Sequence, residues 1–317
     1  MRALVVERPG DAGALRLTTL PDPEPGPGQV LVAVEAVGVN PVDAQNRADP
    51  TWAGLTPPFV VGYEFAGRVQ ALGSAVSDLS VGERVWGLLP VRGTRSGAYA
   101  ELLTVDRRYV RESPPGLTAI DAAALPLSGV TSLQLIDRLA LEPGAAILVH
   151  GAAGGVGSIL VQLAHARQLR VAAPARAERH RLLRALGVEL VVERESPDAL
   201  DRLLAELEAP PQAVVDLVGH GLLAASLPYV AHGGAAASIV ELRGELEEAV
   251  DRNLTLHGVL VRADGRDLER LADEVRAGHL RPVVDEVVEF DEAERAHRRV
   301  ESGHGQGKLV LRVGAPT

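Results

Sequence analysis

The chain has 317 residues, 46% hydrophobic and 23% charged, the balance of a soluble globular protein long enough for two domains and a substantial core. It contains no cysteine, which excludes disulfides, thiolate nucleophiles and every zinc site built on sulfur, and its nine histidines form no HExxH or comparable pair. A formal net charge of −10 opposes nucleic acid as a partner, and no apolar run reaches membrane-spanning length.

The N-terminal stretch MRALVVERPG lacks the apolar length of a signal peptide, so the expected location is the cytoplasm. It reads as a first strand over 3–6, followed by a second over 15–19. The cluster from Pro21 to Gly28 then forbids regular structure, through fixed φ angles and missing donors. Val30, Val32, Val34 and Ala36 alternate with Gln29, Leu31, Ala33 and Glu35, the period of two of a strand. Short β segments over 59–61, 65–72 and 83–87, parted by Gly, Ser and Asp turns, suggest a small, partly open β-barrel.

From about Thr118 helices alternate with apolar strands, the rhythm of a doubly wound sheet. Strands are expected over 146–149, 170–173, 190–192, 213–217, 236–240 and 255–261, with helices between them, for instance over 179–186 and 197–208. The tail returns to β structure over 283–289 and 308–313, around a helix near 291–301. The predicted fold class is α/β: a Rossmann-type doubly wound parallel sheet over 121–282, and a partly open β-barrel domain made from 1–120 and 283–317.

The stretch AAILVHGAAGGVGSILVQLAHARQ, from Ala145 to Gln168, reads as strand, tight turn and helix. Ala146 to Val149 is a short continuous apolar run, as in a strand buried on both faces of a parallel sheet. Ala152, Gly154 and Gly157 then fall on the spacing of the dinucleotide fingerprint, with alanine in the first glycine's place. Missing side chains there allow a sharp turn, approach of a pyrophosphate to backbone N–H groups, and close helix–strand packing. The helix that follows presents its N-terminus to the anion. An NAD-binding member of this fold carries an acid about twenty residues beyond the glycines, on the ribose 2′-hydroxyl. Here the second strand ends Ala173-Pro174-Ala175-Arg176, with Arg179 next and no acid at its tip. Guanidinium groups pair with a 2′-phosphate and a carboxylate repels it, so the expected cofactor is NADP(H), with Arg176 and Arg179 on the phosphate. The alternative for these arginines is the solvated basic face of a helix.

Taken together, several segments resemble the medium-chain dehydrogenase/reductase superfamily, and within it the zinc-free quinone oxidoreductase (zeta-crystallin-like) branch. They are Gly38-Val39-Asn40-Pro41-Val42-Asp43, Gly62-Tyr63-Glu64-Phe65-Ala66-Gly67, Gly82-Glu83-Arg84-Val85, Gly97-Ala98-Tyr99-Ala100-Glu101, the glycine turn, and Gly307-Lys308-Leu309-Val310-Leu311. The resemblance spans essentially the whole length and implies a GroES-like barrel beside the Rossmann sheet. Zinc-dependent members have a ligand cysteine in the segment of Asn40 and a histidine in place of Tyr63, so the resemblance implies no metal. It further implies that Asn40 lies beside the nicotinamide ribose, that Thr131 touches the nicotinamide end, and that Ala152, Ala153, Gly154, Gly155, Val156 and Gly157 hold the pyrophosphate. Arg194 falls where several members have a tyrosine near the adenosine. Leu217, Val218, Ile239 and Val240 end later strands at the edge where such cofactors lie, and the resemblance implies a homodimer by edge pairing of strands near 236–240 and 255–261.

Without metal or thiol, the simplest chemistry is hydride transfer from NADPH to an electron-poor carbon of a quinone or an α,β-unsaturated carbonyl. Asn40 is either an amide donor to a substrate carbonyl or a turn former before Pro41. Asp43 is either a hydrogen-bond acceptor near the site or an N-cap of the following segment. Tyr63 is either a hydroxyl donor or a packed core residue. Arg47 and Trp52 line a pocket mouth or lie on the surface. His150 reads as a satisfied core histidine, Asp216 as a residue that orients a loop, and the runs 245–248 and 291–294 as solvated helix faces. An enoyl-thioester reductase and a non-catalytic NADPH-binding protein remain as alternatives.

Overall fold

The apolar run that opens the fingerprint forms the strand Ala146–His150, buried along its whole length. A strand of that kind needs a partner on each edge. In the computed structural model, which describes residues 1–196 and 198–314, it has both. The sheet runs Leu190–Glu193, Arg170–Ala175, Ala146–His150, Ala213–Asp216, Ala235–Ser238, Thr255–Gly258, all parallel. This is the doubly wound order, reversing direction beside the strand of the glycine turn. Leu148, Ala172, Leu203, Val214, Leu223, Leu227 and Ala236 form one core cluster against this sheet. Full burial of each leucine among them is worth about 1.5–3 kcal/mol. Of the helix expected over 197–208, Ala199–Glu206 is helical and Pro197 lies outside the described residues. Among the described residues, the edge strands of this sheet are Thr255–Gly258 and Leu190–Glu193. Ala235–Ser238 lies inside the sheet, so of the two segments expected to pair across a dimer only the later one has a free edge.

The chain divides into two compact units. The first comprises Met1–Val130, Arg262–Ala277 and the chain from Pro282 onward; the second is Thr131–Val261 with Gly278–Arg281. These bounds differ from the expected split in placing 121–130, 262–277 and Pro282 with the first unit. The helix Gly265–Arg276 belongs there because it starts against the backbone of Arg108, with Arg111 ion-paired to Glu269 at 2.5 Å and Leu271 packed on Gly129.

Within the first unit, Leu15–Thr19, Arg2–Val6 and Phe59–Val60 make a small antiparallel sheet. A larger sheet runs Val284–Glu289, Lys308–Arg312, Gln29–Val39, Glu64–Leu72, Arg84–Leu88, Val110–Glu112, and Leu102–Asp106 also pairs on Gln29–Val39. The alternation expected over 29–36 is kept but for Leu31: Val30, Val32, Val34 and Ala36 are buried, and Gln29, Ala33 and Glu35 are partly exposed. Beyond that stretch Val37, Gly38 and Val39 are buried in succession, past a register shift against Glu64–Leu72 at Val34/Ala36. The same register builds a site. Val39 lies opposite Leu309, and Val37 opposite Phe65, so Asn40, Glu64 and Lys308 converge from three strand ends.

Candidate active site

Within the second unit, the helix Gly155–Ala166 starts directly after the turn, with Gly154 as its N-cap and no side chain closing its end. The N–H groups of a first helical turn have no intrahelical partner, so this bare end is suited to an anion. Gly157 is required by packing: a Cβ there would lie 2.2 Å from the Gly151 carbonyl oxygen and 2.6 Å from Ala152 Cα. The sharp turn itself is made at Gly151 (φ +81°), one residue before the alanine that holds the fingerprint's first place, which is why Ala152 is tolerated. Leu217 and Val218 flank that turn, within 3.3 Å and 2.9 Å of where a Gly151 Cβ would stand, and Val240 Cγ1 sits as close to Gly219. The strands that were expected to carry these residues end sooner, at Asp216 and Ser238. Ser132, next to the buried Thr131, donates to the Val156 carbonyl at 3.2 Å, which fixes that segment against the glycine turn.

Asp216 serves the loop as expected: one carboxylate oxygen accepts from the N–H groups of Val218 and Gly219, both at 2.9 Å. His150 is also the satisfied core histidine foreseen. Ser226 spends its hydroxyl hydrogen on the Leu222 carbonyl, so the 2.7 Å contact must be His150 Nε2–H donating to Ser226. Burial holds its pKa below the usual imidazole range.

The arginines expected on a 2′-phosphate stand at the tip of Arg170–Ala175, where Arg176 caps the helix Ala177–Ala185. They are not unopposed by acid. Glu195 pairs with Arg176 at 3.1 Å, and Glu178 lies 4.0 Å from Arg179. The carboxylate comes from beyond the neighbouring strand, Leu190–Glu193, so no inspection of the second strand's own end reveals it. Arg194 is exposed, its N–H on the Ala175 carbonyl.

In the first unit, Asn40 is the N-cap of the helix Pro41–Ala48, and Asp43 is not an N-cap but the third helical residue, reaching back to the Asn40 N–H at 2.7 Å. The Asn40 amide is 2% exposed. Its oxygen accepts from Lys308 Nζ, and its nitrogen donates to Glu64 Oε1 at 2.8 Å, which leaves one amide hydrogen over. Glu64 is ion-paired with Lys308 at 2.5 Å and takes the Leu127 N–H at 2.7 Å on its other oxygen.

Asp43 continues into a second chain of contacts. Tyr99 donates to its Oδ2 at 3.1 Å, His297 Nε2 lies 3.3 Å from the Tyr99 hydroxyl, and Arg47 Nη1 lies 3.0 Å from His297 Nδ1. A guanidinium only donates, so His297 is neutral, accepts at Nδ1 and donates through Nε2. The contacts therefore form a one-way series of donors ending on Asp43, closed at its far end by the Arg47–Glu301 pair at 2.5 Å. Burial pushes Asp43 up to about 7 and His297 down to about 3, and burial with the nearby Asp43 charge raises Tyr99 well above its ordinary value. Tyr63, fully buried, accepts from Asn46; burial and Asp43 hold its pKa above the ordinary phenol range. Arg47, expected at a pocket mouth or on the surface, is at neither: it is 1% exposed inside this network. Trp52 lies under the Arg92 guanidinium, 5.0 Å from the ring centre.

A family model described as a zinc-binding dehydrogenase matches residues 186–311, and one described as an alcohol dehydrogenase GroES-like domain matches residues 26–115. The NADPH-dependent alkenal/one oxidoreductase of Arabidopsis thaliana is 31% identical, covering 98% of this chain and 79% of that protein. The chain is a medium-chain dehydrogenase/reductase. Among solved structures of the superfamily, the quinone oxidoreductase from Coxiella burnetii superposes with a TM-score of 0.89 at 29% identity, over 99% of each chain. A mycobacterial member complexed with NADPH superposes with a TM-score of 0.87 at 29% identity, over 99% of this chain and 100% of that chain.

The donors here do not fit the zinc of the superfamily's metal-dependent members. Among the described residues no group of three or more His, Asp or Glu is placed to hold a metal. The ammonium of Lys308 already stands against Asn40 and Glu64, where a second cation would be repelled. Glu64, Lys308 and Tyr99 lie in the segments that carried the resemblance, but their joint role was not visible there, nor was that of His297 or Asn46. One signal was available. Lys308 is the only lysine among 32 cationic Lys and Arg residues.

Proposed function

We propose that this medium-chain dehydrogenase/reductase is a zinc-independent, NADPH-dependent reductase of quinones and α,β-unsaturated carbonyls. When bound, the nicotinamide supplies a hydride. The observation that carries the reading is the bare N-terminus of Gly155–Ala166, set behind a turn where Gly157 leaves no room for a side chain. That end binds the pyrophosphate through backbone N–H groups, with Ala152, Ala153, Gly154, Gly155 and Val156 around it. Arg176 and Arg179 take the 2′-phosphate, Arg176 exchanging its exposed Glu195 partner for a doubly charged anion. Thr131, Leu217, Val218, Ile239 and Val240 line the dinucleotide, and Arg194 lies toward its adenosine. The Arabidopsis relative is named for NADPH and for alkenal/one substrates, which supports both the cofactor and the acceptor class.

In the first unit Asn40 polarises the acceptor carbonyl with its remaining amide hydrogen. Asp43 holds the Asn40 backbone, and Tyr63 accepts from Asn46 in the helix that Asn40 caps. A quinone or enone oxygen that gains electron density needs a donor and no strong acid, and the proton comes from solvent.

The chain acts in the cytoplasm as a homodimer. No helix among the described residues is long and apolar enough to cross a membrane. The free edge of Thr255–Gly258, with Leu260 exposed beyond it, is the surface for pairing with a second copy.

The test titrates the protein with NADPH and NADH, then follows loss of nicotinamide absorbance with a quinone, an enone and an enoyl thioester in turn. Tighter binding of NADPH, with turnover of the first two, is the expected result. Turnover of the thioester alone replaces the acceptor class, and tight binding without turnover refutes the catalytic reading.

A further inference from the structure

We propose that Lys308 and Glu64 are positioning residues that lock the Asn40 side-chain amide in a single orientation, with its spare N–H kept as the donor to a substrate oxygen. The proposal rests on the reading of Asn40 given above and adds to it the two groups that make Asn40 a dependable donor.

An asparagine amide is nearly symmetric in shape, so something chemical must decide which end is nitrogen. Here both neighbours decide it the same way. An ammonium has only donors, so Lys308 Nζ selects the Asn40 oxygen. A carboxylate has only acceptors, so Glu64 Oε1 selects the nitrogen, at 2.8 Å. A flipped amide would set N–H against ammonium and carbonyl against carboxylate, two repulsions in a site where none of the three side chains is more than 3% exposed.

Glu64 is itself held from three directions: Lys308 at 2.5 Å, Asn40, and the Leu127 N–H at 2.7 Å on the other oxygen. Its seat exists because residue 38 has no side chain; a Cβ on Gly38 would lie 2.1 Å from Glu64 Oε1. The pair is not explained by stability, since exchanging a buried ion pair for well-packed neutral groups is commonly neutral or stabilising. Nor is the choice of cation a matter of composition, because every other Lys or Arg position in the chain is arginine. A guanidinium would spread its donors over a planar fork, whereas one ammonium is a compact charge that fits between an amide oxygen and a carboxylate.

The experiment compares Lys308→Met, Glu64→Gln, the double variant and Asn40→Ala. Three quantities are read: thermal midpoint, kcat and KM with a quinone and an enone, and the 15N–1H signals of the Asn40 side chain. Each single variant leaves a buried group unpaired and should lower both midpoint and kcat. The double variant buries no uncompensated charge, so its midpoint should return toward wild type. Glutamine offers donor and acceptor alike, however, so it no longer dictates the amide. Turnover should then stay down by about 100-fold, the scale of a misplaced catalytic contact, with KM for NADPH unchanged and no further loss on adding Asn40→Ala. In wild type the two Asn40 amide hydrogens should give separate, slowly exchanging signals, and in the double variant these should broaden or shift. A double variant with wild-type kcat and unchanged Asn40 signals overturns the proposal. If wild type turns over neither acceptor, the functional reading fails by itself and the amide signals alone decide the orientation.

Discussion

Asp43 and His297 titrate in opposite senses, and their effects on stability should hide one another. Asp43 is raised from 3.8 to about 7, so between those values the folded state holds a proton that the unfolded chain has lost. Its contribution therefore makes stability fall as pH rises. His297 is lowered from 6.5 to about 3, so between those values the unfolded chain carries a proton that the folded state lacks. Its contribution makes stability rise with pH, and is lost as pH falls toward 3. From about pH 4 to 6.5 each state holds one proton on the pair, and the two slopes cancel. Removing one partner exposes the other, at about 1.36 kcal/mol per pH unit. Relative to wild type, His297→Gln should lose that amount for each unit of rising pH across the window, and Asp43→Asn should gain it. Glutamine can still accept from Arg47 and donate to Tyr99, so the substitution changes titration more than packing. Urea unfolding at pH values stepped through the window, followed by the fluorescence of Trp86, fully buried in the same unit, gives the differences directly. If the stability of His297→Gln runs parallel to wild type throughout, the fold does not hold His297 in its neutral form and the assignment of the donor series collapses.

Three further outcomes are expected. Gly157→Ala places a methyl group against the Gly151 carbonyl, so dinucleotide affinity should fall by at least about tenfold in a fluorescence titration, both cofactors alike. Arg176→Glu with Arg179→Glu should weaken NADPH by about 100-fold and leave NADH within a factor of about three, since a charged hydrogen bond is worth roughly 1.5–3 kcal/mol; equal losses for both would remove the 2′-phosphate assignment. Thr255→Lys sets a charge on the free sheet edge and should halve the mass found by sedimentation equilibrium, whereas an unchanged mass would move the dimer contact elsewhere.

The parallel sheet was legible because its inner strands are buried and so read as unbroken apolar runs, 146–149 and 213–217 most clearly. The strand Gln29–Val39 was legible as β and, over 29–36, in its facing apart from Leu31; the buried run at its end lies past a register shift that only the pairing shows. The helix Gly265–Arg276 went unassigned to the first unit because what holds it, the Arg111–Glu269 pair, joins residues 158 positions apart. Candidate residues were legible where a short motif carries the geometry, as at Gly154 and Gly157. They were missed where register carries it: Lys308 reaches Asn40 across 268 residues, and only the pairing of Leu309 with Val39 brings them together. The acid beside Arg176 was missed for the same reason, since it arrives from beyond the next strand.

Lys308 has a practical consequence for anyone handling this protein. Apart from the N-terminus it is the molecule's sole primary amine, and it is 3% exposed. Acylating, cross-linking or fluorescent reagents aimed at lysine will find almost nothing to attach to on the native fold. The rate at which they eventually modify that one nitrogen measures how often Lys308–Arg312 lifts away from its neighbours.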